Sequence, residues 1–157
     1  MRGVPPPRPT LDQLARYSEA FNQSATLEHF GMKVRFPNVD TVEVVLDPVR
    51  PEQRGGLGSD AVNGGVLAAM FDLVIGCAPA LVDPARRSAT VQLSINFMSA
   101  VRGERIVARS RITRAGEKLI FAAASIFDGT GQECASATGL SRLSSIPWAS
   151  GGTPAVN

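Results

Sequence analysis

A single histidine, two cysteines and an aromatic content of 6% remove several classes of protein at the outset. His29 has no further ligand type at metal-binding spacing around it, so no metal centre is expected, and no motif asks for a bound cofactor. Cys77 and Cys134 lie in apolar segments, and the opening MRGVPPPRPT lacks the apolar region of a secretory signal. A reducing, cytoplasmic setting is the expectation. Net charge is +2 with 19% charged residues, and the aromatics are not interleaved with the arginines, so the basic field that nucleic acid or a membrane surface requires is missing. The longest apolar run, from Ala61 to Val82, is interrupted by Asp72 and Pro79 and reads as too short and broken for a membrane span. The glycines of GGLGSD lack the lysine and preceding strand of a phosphate-binding loop and read as turn residues.

What remains is a chain of 157 residues with 44% hydrophobic content, enough for one domain with a closed core. Residues 1–9 are expected as a flexible N-terminus, 10–145 as the domain and 146–157 as a flexible tail in which Trp148 is a possible anchor. TLDQLARYSEAF places Leu11, Leu14, Ala15, Ser18 and Phe21 at helical spacing behind Thr10 as N-cap, predicting a short amphipathic lid helix. MKVRF and TVEVVLD predict strands around the turn PNVD. TVQLSINFMSA alternates, with Val91, Leu93, Ile95 and Phe97 on one face and Thr90, Gln92, Ser94 and Asn96 on the other, which predicts a strand with one buried face. Three further strands are predicted in ERIVARSRITR, KLIFAAASIFD and ECASATGLSRL, joined by the hairpin-sized AGE and GTGQ. Strand hairpins around one long apolar helix imply an α+β domain whose antiparallel sheet wraps that helix.

The helix itself, within AVNGGVLAAMFDLVIGCAPALV, carries one charged side chain. Plotted at 100° per residue, Gly65, Ala68, Ala69, Gly76 and Ala80 share the side of Asp72, and Leu67, Met70, Val74, Cys77 and Leu81 form the core side. The small residues leave a groove with a carboxylate in its floor; the plain alternative is close packing of a small-residue face. Asn63 is a good N-cap, and Gly64 and Gly65 leave the first N–H groups of the helix open to a carbonyl oxygen or an anion. A helix N-terminus of this kind together with a carboxylate supplies the two elements of acyl-transfer hydrolysis, an oxyanion site and a base or nucleophile. Cys77, on the core side, is a poor nucleophile candidate.

From about Leu57 to Leu143, through VNGGVLAAMFDLVIG, TVQLSINFMSAVRGE and the closing hairpin, the chain resembles the hotdog-fold acyl-CoA thioesterases, in particular their PaaI-like branch. The resemblance implies that the Gly64 amide polarises the thioester carbonyl, that Asp72 activates water or attacks directly, and that the Thr90 hydroxyl helps to hold the water. Asn63 stands where many relatives have histidine, and Leu57 where they often have an amide side chain. The implied substrate is a small to medium acyl-CoA, aryl or aliphatic, and the implied assembly is a homo-oligomer, a dimer or a dimer of dimers. Gly65, Ala68 and Ala69 are candidate substrate contacts. Arg114 and Lys118, which bracket the AGE turn, are candidates for the coenzyme A phosphates, with Arg86 and Arg87 as alternatives.

Gly64 and Asp72 are eight residues apart, about 12 Å along one helix, so a single thioester carbon cannot reach both. If both act on one bond, the carboxylate comes from a second copy across a two-fold axis. Two other functions compete. A hotdog hydratase or dehydratase relies on a histidine paired with an acid, and no histidine lies in or near this helix. A non-catalytic acyl-CoA-binding module has no use for a desolvated carboxylate beside an acyl chain.

Overall fold

The computed structural model describes residues 7–55 and 58–148; Leu57 and most of the two expected flexible ends lie outside the described residues. Helix α1 spans Leu11–Phe21, and Thr10 caps it as expected, exchanging hydrogen bonds with Gln13 in a capping box. A second helix, α2 (Ala25–Phe30), was not expected, because six residues are too few to show a helical period. Its ends were nonetheless marked, by Ser24 as N-cap and by Gly31 in the left-handed conformation (φ 66°) just past the last turn.

Strands β1 (Met32–Asn38) and β2 (Thr41–Leu46) form the first hairpin, followed by a 3₁₀ turn at Pro51–Gln53 and helix α3 (Gly64–Gly76). Strands β3 (Arg86–Phe97), β4 (Ile106–Ala115), β5 (Leu119–Phe127) and β6 (Glu133–Pro147) complete one six-stranded sheet in the order β1-β2-β4-β5-β6-β3. All neighbouring pairs are antiparallel, and the sheet wraps α3, which confirms the expected α+β arrangement. At the C-terminal side the expected boundary at residue 145 falls inside β6, which continues to Pro147, and the Trp148 N–H donates to the Ala85 carbonyl at 2.8 Å.

Helix α3 buries Leu67, Met70, Phe71, Val74 and Ile75 against the sheet. The segment Gly64–Leu81 corrects one sequence expectation, for its length and mean hydropathy of 1.8 would allow a membrane crossing, although 56% of it is buried as the core helix here. The α-helix ends at Gly76 and a 3₁₀ turn, Ala78–Leu81, follows with Pro79 near its start. A 100° wheel holds only to that point. Ala80, placed on the groove side by the wheel, is therefore in the core at 2% exposure.

The close seat of α3 on the sheet has two causes. The first is Gly139 on β6, where a Cβ would stand 2.7 Å from the Ile75 methyl Cγ2 and 2.9 Å from the Gln92 carbonyl oxygen. The second is a set of hydroxyls on the inner face of the sheet. Ser110 Oγ donates to the Val74 carbonyl (2.7 Å), Ser88 Oγ to that of Gly76 (2.8 Å) and Ser141 Oγ to that of Ile75 (3.1 Å). The last carbonyls of a helix have no partner within it, and here three strands supply one each.

Ser110 and Ser141 are buried, so removing either hydroxyl strands a desolvated carbonyl. Ser110→Ala is expected to lower stability by about 1–3 kcal/mol, read as a fall in the urea midpoint at unchanged m-value.

Candidate active site

The backbone of Asn63 is extended (φ −61°, ψ 139°), and its Oδ1 accepts from the Gly65 N–H at 2.8 Å. Its own N–H donates to the Gln53 carbonyl, which ties the helix start to the 3₁₀ turn before it. The sequence reading left both glycine amides open; the structure commits that of Gly65 to Asn63. Among the described residues the Gly64 N–H has no acceptor, and Gly64 is exposed. A Cβ at Gly64 would lie 3.7 Å from the Phe97 ring, so this helix start sits beside the end of β3.

Asp72 lies further along the same helix and corrects the expectation of a buried carboxylate: within one chain it is exposed. Ala68 and Ala69, between the two ends, are half-buried, and with exposed Gly65 they make the shallow strip predicted from the wheel. Beside Asp72 stands Thr90, whose Oγ1 donates to the Asp72 backbone carbonyl at a long 3.4 Å.

Thr90 faces the helix because of an irregularity that strict alternation could not show. Thr90 pairs with Ser141 and Gln92 with Leu140, so β3 carries one extra residue between them. A β-bulge of this kind reverses which face each side chain takes. Before it, Ser88 and Thr90 point at α3; after it, Leu93, Ile95 and Phe97 do. Val91, expected on the buried face, is 57% exposed, and Phe97 is 56% exposed. The expected single buried face of this strand is thus two half-faces, only partly covered in one chain. Gly76 completes the approach of Thr90, since a Cβ there would be 2.8 Å from Thr90 Oγ1.

Asp72 and Thr90 share a cavity of about 270 Å³ with Leu73, Gly76, Cys77 and Ser88. Tyr17, Phe21 and Trp148 also line it, and the sequence pointed to none of them as part of the site. Tyr17 stacks on Phe21 (5.8 Å between centroids) and meets Trp148 edge-on at 6.2 Å. A signal was present, because Leu14, Tyr17 and Phe21 recur at helical spacing and Tyr17 and Trp148 are the only tyrosine and tryptophan. Burial first, and then the neighbouring Cys77, push the Tyr17 phenol well above its usual range. Burial likewise pushes the Cys77 thiol up to about 12, which leaves it without nucleophilic character, as its core position predicts.

The basic candidates lie elsewhere. Arg114 stacks over the Phe121 ring at 6.0 Å on the sheet face turned away from α3, and Lys118 is exposed at the β4–β5 turn; neither lines the Asp72 cavity. Arg86 donates through Nε to the Ser144 carbonyl, and the Arg87 guanidinium lies 5.6 Å from the Trp148 ring centre. Among the described residues no cluster of metal-ligating side chains occurs.

Residues 60–135 match the profile of the thioesterase superfamily. Over that segment the chain is similar to the superfamily, and its fold is the hotdog fold. Solved structures with the same hotdog fold include a Shewanella oneidensis protein related to the thioesterase superfamily, 22% identical, with a TM-score of 0.76 over 85% of this chain and 96% of that one. A Haemophilus influenzae thioesterase is 16% identical, with a TM-score of 0.72 over 83% of this chain and 90% of its own. The E. coli PaaI protein of the phenylacetic acid degradation operon is 14% identical, with a TM-score of 0.74 over 87% of this chain and 97% of its own. No curated protein matches the sequence. Within this hotdog domain the matched segment contains Asn63, Gly64, Asp72 and Thr90, whereas Tyr17, Phe21 and Trp148 fall outside it.

The Asn63 side chain has a helix-capping role that any acceptor of similar reach would fill. Asn63→Ala is therefore expected to lose about 1 kcal/mol of stability and Asn63→Asp to retain it, measured by urea titration.

Proposed function

We propose that this protein is an acyl-CoA thioesterase of the PaaI-like type, acting on small to medium acyl groups at two equivalent sites shared between the subunits of a homodimer. The observation that carries the reading is the division of α3 into an unpaired Gly64 N–H at one end and an exposed Asp72 beside Thr90 near the other.

The two ends are brought together by pairing β3 with itself. Among the described residues β3 is an edge strand with no strand on its outer side, and Val91 and Phe97 along it and Met98 just past it are exposed apolar side chains. Gly64 sits level with Phe97, and Asp72 level with Thr90. An antiparallel pairing of two β3 strands about a two-fold axis at Ser94 sets Gln92 of one copy opposite Asn96 of the other and, with the extra residue Val91 counted, Thr90 opposite Phe97. The Gly64 amide of one subunit then faces the partner's Asp72, and the same operation makes a second site. Burial of Asp72, missing in one chain, follows from this pairing. A dimer of dimers is the fuller assembly we propose.

In such a site the thioester carbonyl oxygen accepts from the Gly64 N–H, which stabilises the negative charge that grows on it. Asp72 either takes a proton from water as the water oxygen adds to the carbonyl carbon, or adds there itself to form an anhydride that water then cleaves. In both routes the C–S bond breaks, the sulfur leaves as coenzyme A thiol and the acyl group leaves as the free acid. Thr90 lies close enough to help position the water. The nucleotide end of the substrate extends outside the cavity, where the exposed Arg114 and Lys118 are the phosphate contacts we propose. Free, buried Cys77 and Cys134 support a reducing, cytoplasmic setting.

Asp72→Asn keeps shape and hydrogen bonding but removes the base or nucleophile. Turnover of a panel of aliphatic and aryl acyl-CoAs, followed by release of free thiol, is expected to fall at least about a hundredfold. Unchanged turnover rules out the role of Asp72, and substrate binding without turnover in the wild type identifies a binding module instead.

The shared site has its own test. Asp72→Ala and Gly64→Pro are each expected to be inactive as homodimers, the proline being accepted in a first helical turn while removing the N–H. Refolded together, with half the dimers mixed, they recover about a quarter of wild-type activity, because each mixed dimer holds one site built from two intact halves. No recovery, with both variants folded by circular dichroism and dimeric by sedimentation, means that the site lies within one chain.

A further inference from the structure

We propose that α1 and Trp148 form the end wall of the acyl pocket and set the size of acyl group this protein accepts, so that Tyr17, Phe21 and Trp148 are its specificity-determining residues. The inference rests on the thioesterase reading above and adds to it where the acyl chain goes and what stops it.

Asp72 and Thr90 line the same cavity as the three rings, so a thioester with its carbonyl carbon at Asp72 can send its acyl group along the cavity toward α1. The wall there is built from both ends of the described chain. Tyr17 is held from three sides, stacked on Phe21 and meeting Phe36 and Trp148 edge-on. Its hydroxyl reaches the Cys77 sulfur at 3.8 Å, which fixes the ring against α3. Trp148 is fixed by its backbone bond to Ala85 and by the Arg87 guanidinium on its ring. These rings are packed against one another as core side chains are, and they present a stiff apolar surface to the cavity.

The space between Asp72 and the rings sets the limit in that direction. An apolar cavity of about 150 Å³ holds a benzene ring. The 270 Å³ beside Asp72, at about 30 Å³ for each water-sized group, takes about nine such groups. A benzoyl or octanoyl group fits within that limit, and a hexadecanoyl group runs into the wall. Gly64, Asp72 and Thr90 lie inside the segment that matches the superfamily profile, and all three wall residues lie outside it. In this proposal the bond-breaking groups come from the matched segment and acyl selection from residues outside it.

The test is kcat/KM for benzoyl-, octanoyl- and hexadecanoyl-CoA with the wild type, Trp148→Ala and Phe21→Ala. The Trp148 indole N–H has no hydrogen-bond partner among the described residues, so its removal strands no polar group, and Phe21 is only half-buried. In the wild type, kcat/KM is expected to drop at least about tenfold from octanoyl to hexadecanoyl, against the rise of about fourfold per methylene that burial in an open groove brings. Either variant is expected to raise the hexadecanoyl-to-octanoyl ratio by about tenfold, mainly through KM, and to lower kcat/KM for benzoyl-CoA. A wild type that hydrolyses hexadecanoyl-CoA as well as octanoyl-CoA overturns the wall while leaving the thioesterase reading intact. So does a chain-length profile that neither folded variant changes. A wild type that hydrolyses none of the three overturns both.

Discussion

Three serine hydroxyls, on β3, β4 and β6, close the C-terminal end of α3 by donating to the carbonyls of Gly76, Val74 and Ile75. A helix at the centre of a sheet cannot leave those carbonyls to water, and a following helix residue cannot take them, because the chain turns to 3₁₀ geometry at Ala78. The sheet therefore does the capping. Hydroxyls reach only if helix and sheet lie close, and that closeness depends on Gly139, whose missing side chain is the space occupied by Ile75. The rotation of α3 about its axis follows from the same bonds. With Val74 and Ile75 directed at the sheet, Asp72 is left on the open side.

The β3 bulge is the second device, and it acts on chemistry more than on stability. Ser88 and Thr90 are needed on the helix side at one end of the strand, and Leu93 and Ile95 on the helix side at the other. A strand with perfect two-residue alternation cannot provide both sets, since they differ in parity. One extra residue reconciles them and turns Val91 outward. The result is a strand with a hydroxyl pair against α3 at one end and an apolar set at the other, the property on which the two-fold pairing we propose relies.

This arrangement accounts for a site that looks incomplete in one chain. Asp72 is exposed and the Gly64 amide unpaired because each is half of a constellation that we propose is completed by a second subunit. It also divides the labour along the chain. The helix start, the carboxylate and the threonine lie in the segment matching the thioesterase superfamily, while the aromatic wall comes from α1 and from the residue after β6. Catalytic geometry and substrate size can then vary independently within a single fold.

Much of the fold was legible in the sequence because it rests on local periodicity: the apolar helix, the alternating strands, the Thr10 and Asn63 caps and the hairpin turns are all short-range patterns. The strip of Gly65, Ala68, Ala69 and Asp72 was legible for the same reason. What depended on packing between distant segments was not legible. The helix broke at Gly76, so Ala80 went to the core; the β3 bulge lies opposite Leu140 and Ser141 across the sheet; Arg114 turned away from α3 because β4 shifts register between Ile112 and Arg114. The lining of the cavity by Tyr17, Phe21 and Trp148 joins residues more than 120 positions apart. Periodicity determines which face of an element is apolar; only the tertiary structure decides what that face meets, because the meeting depends on register, bulges and close approach between strands that the chain itself leaves far apart.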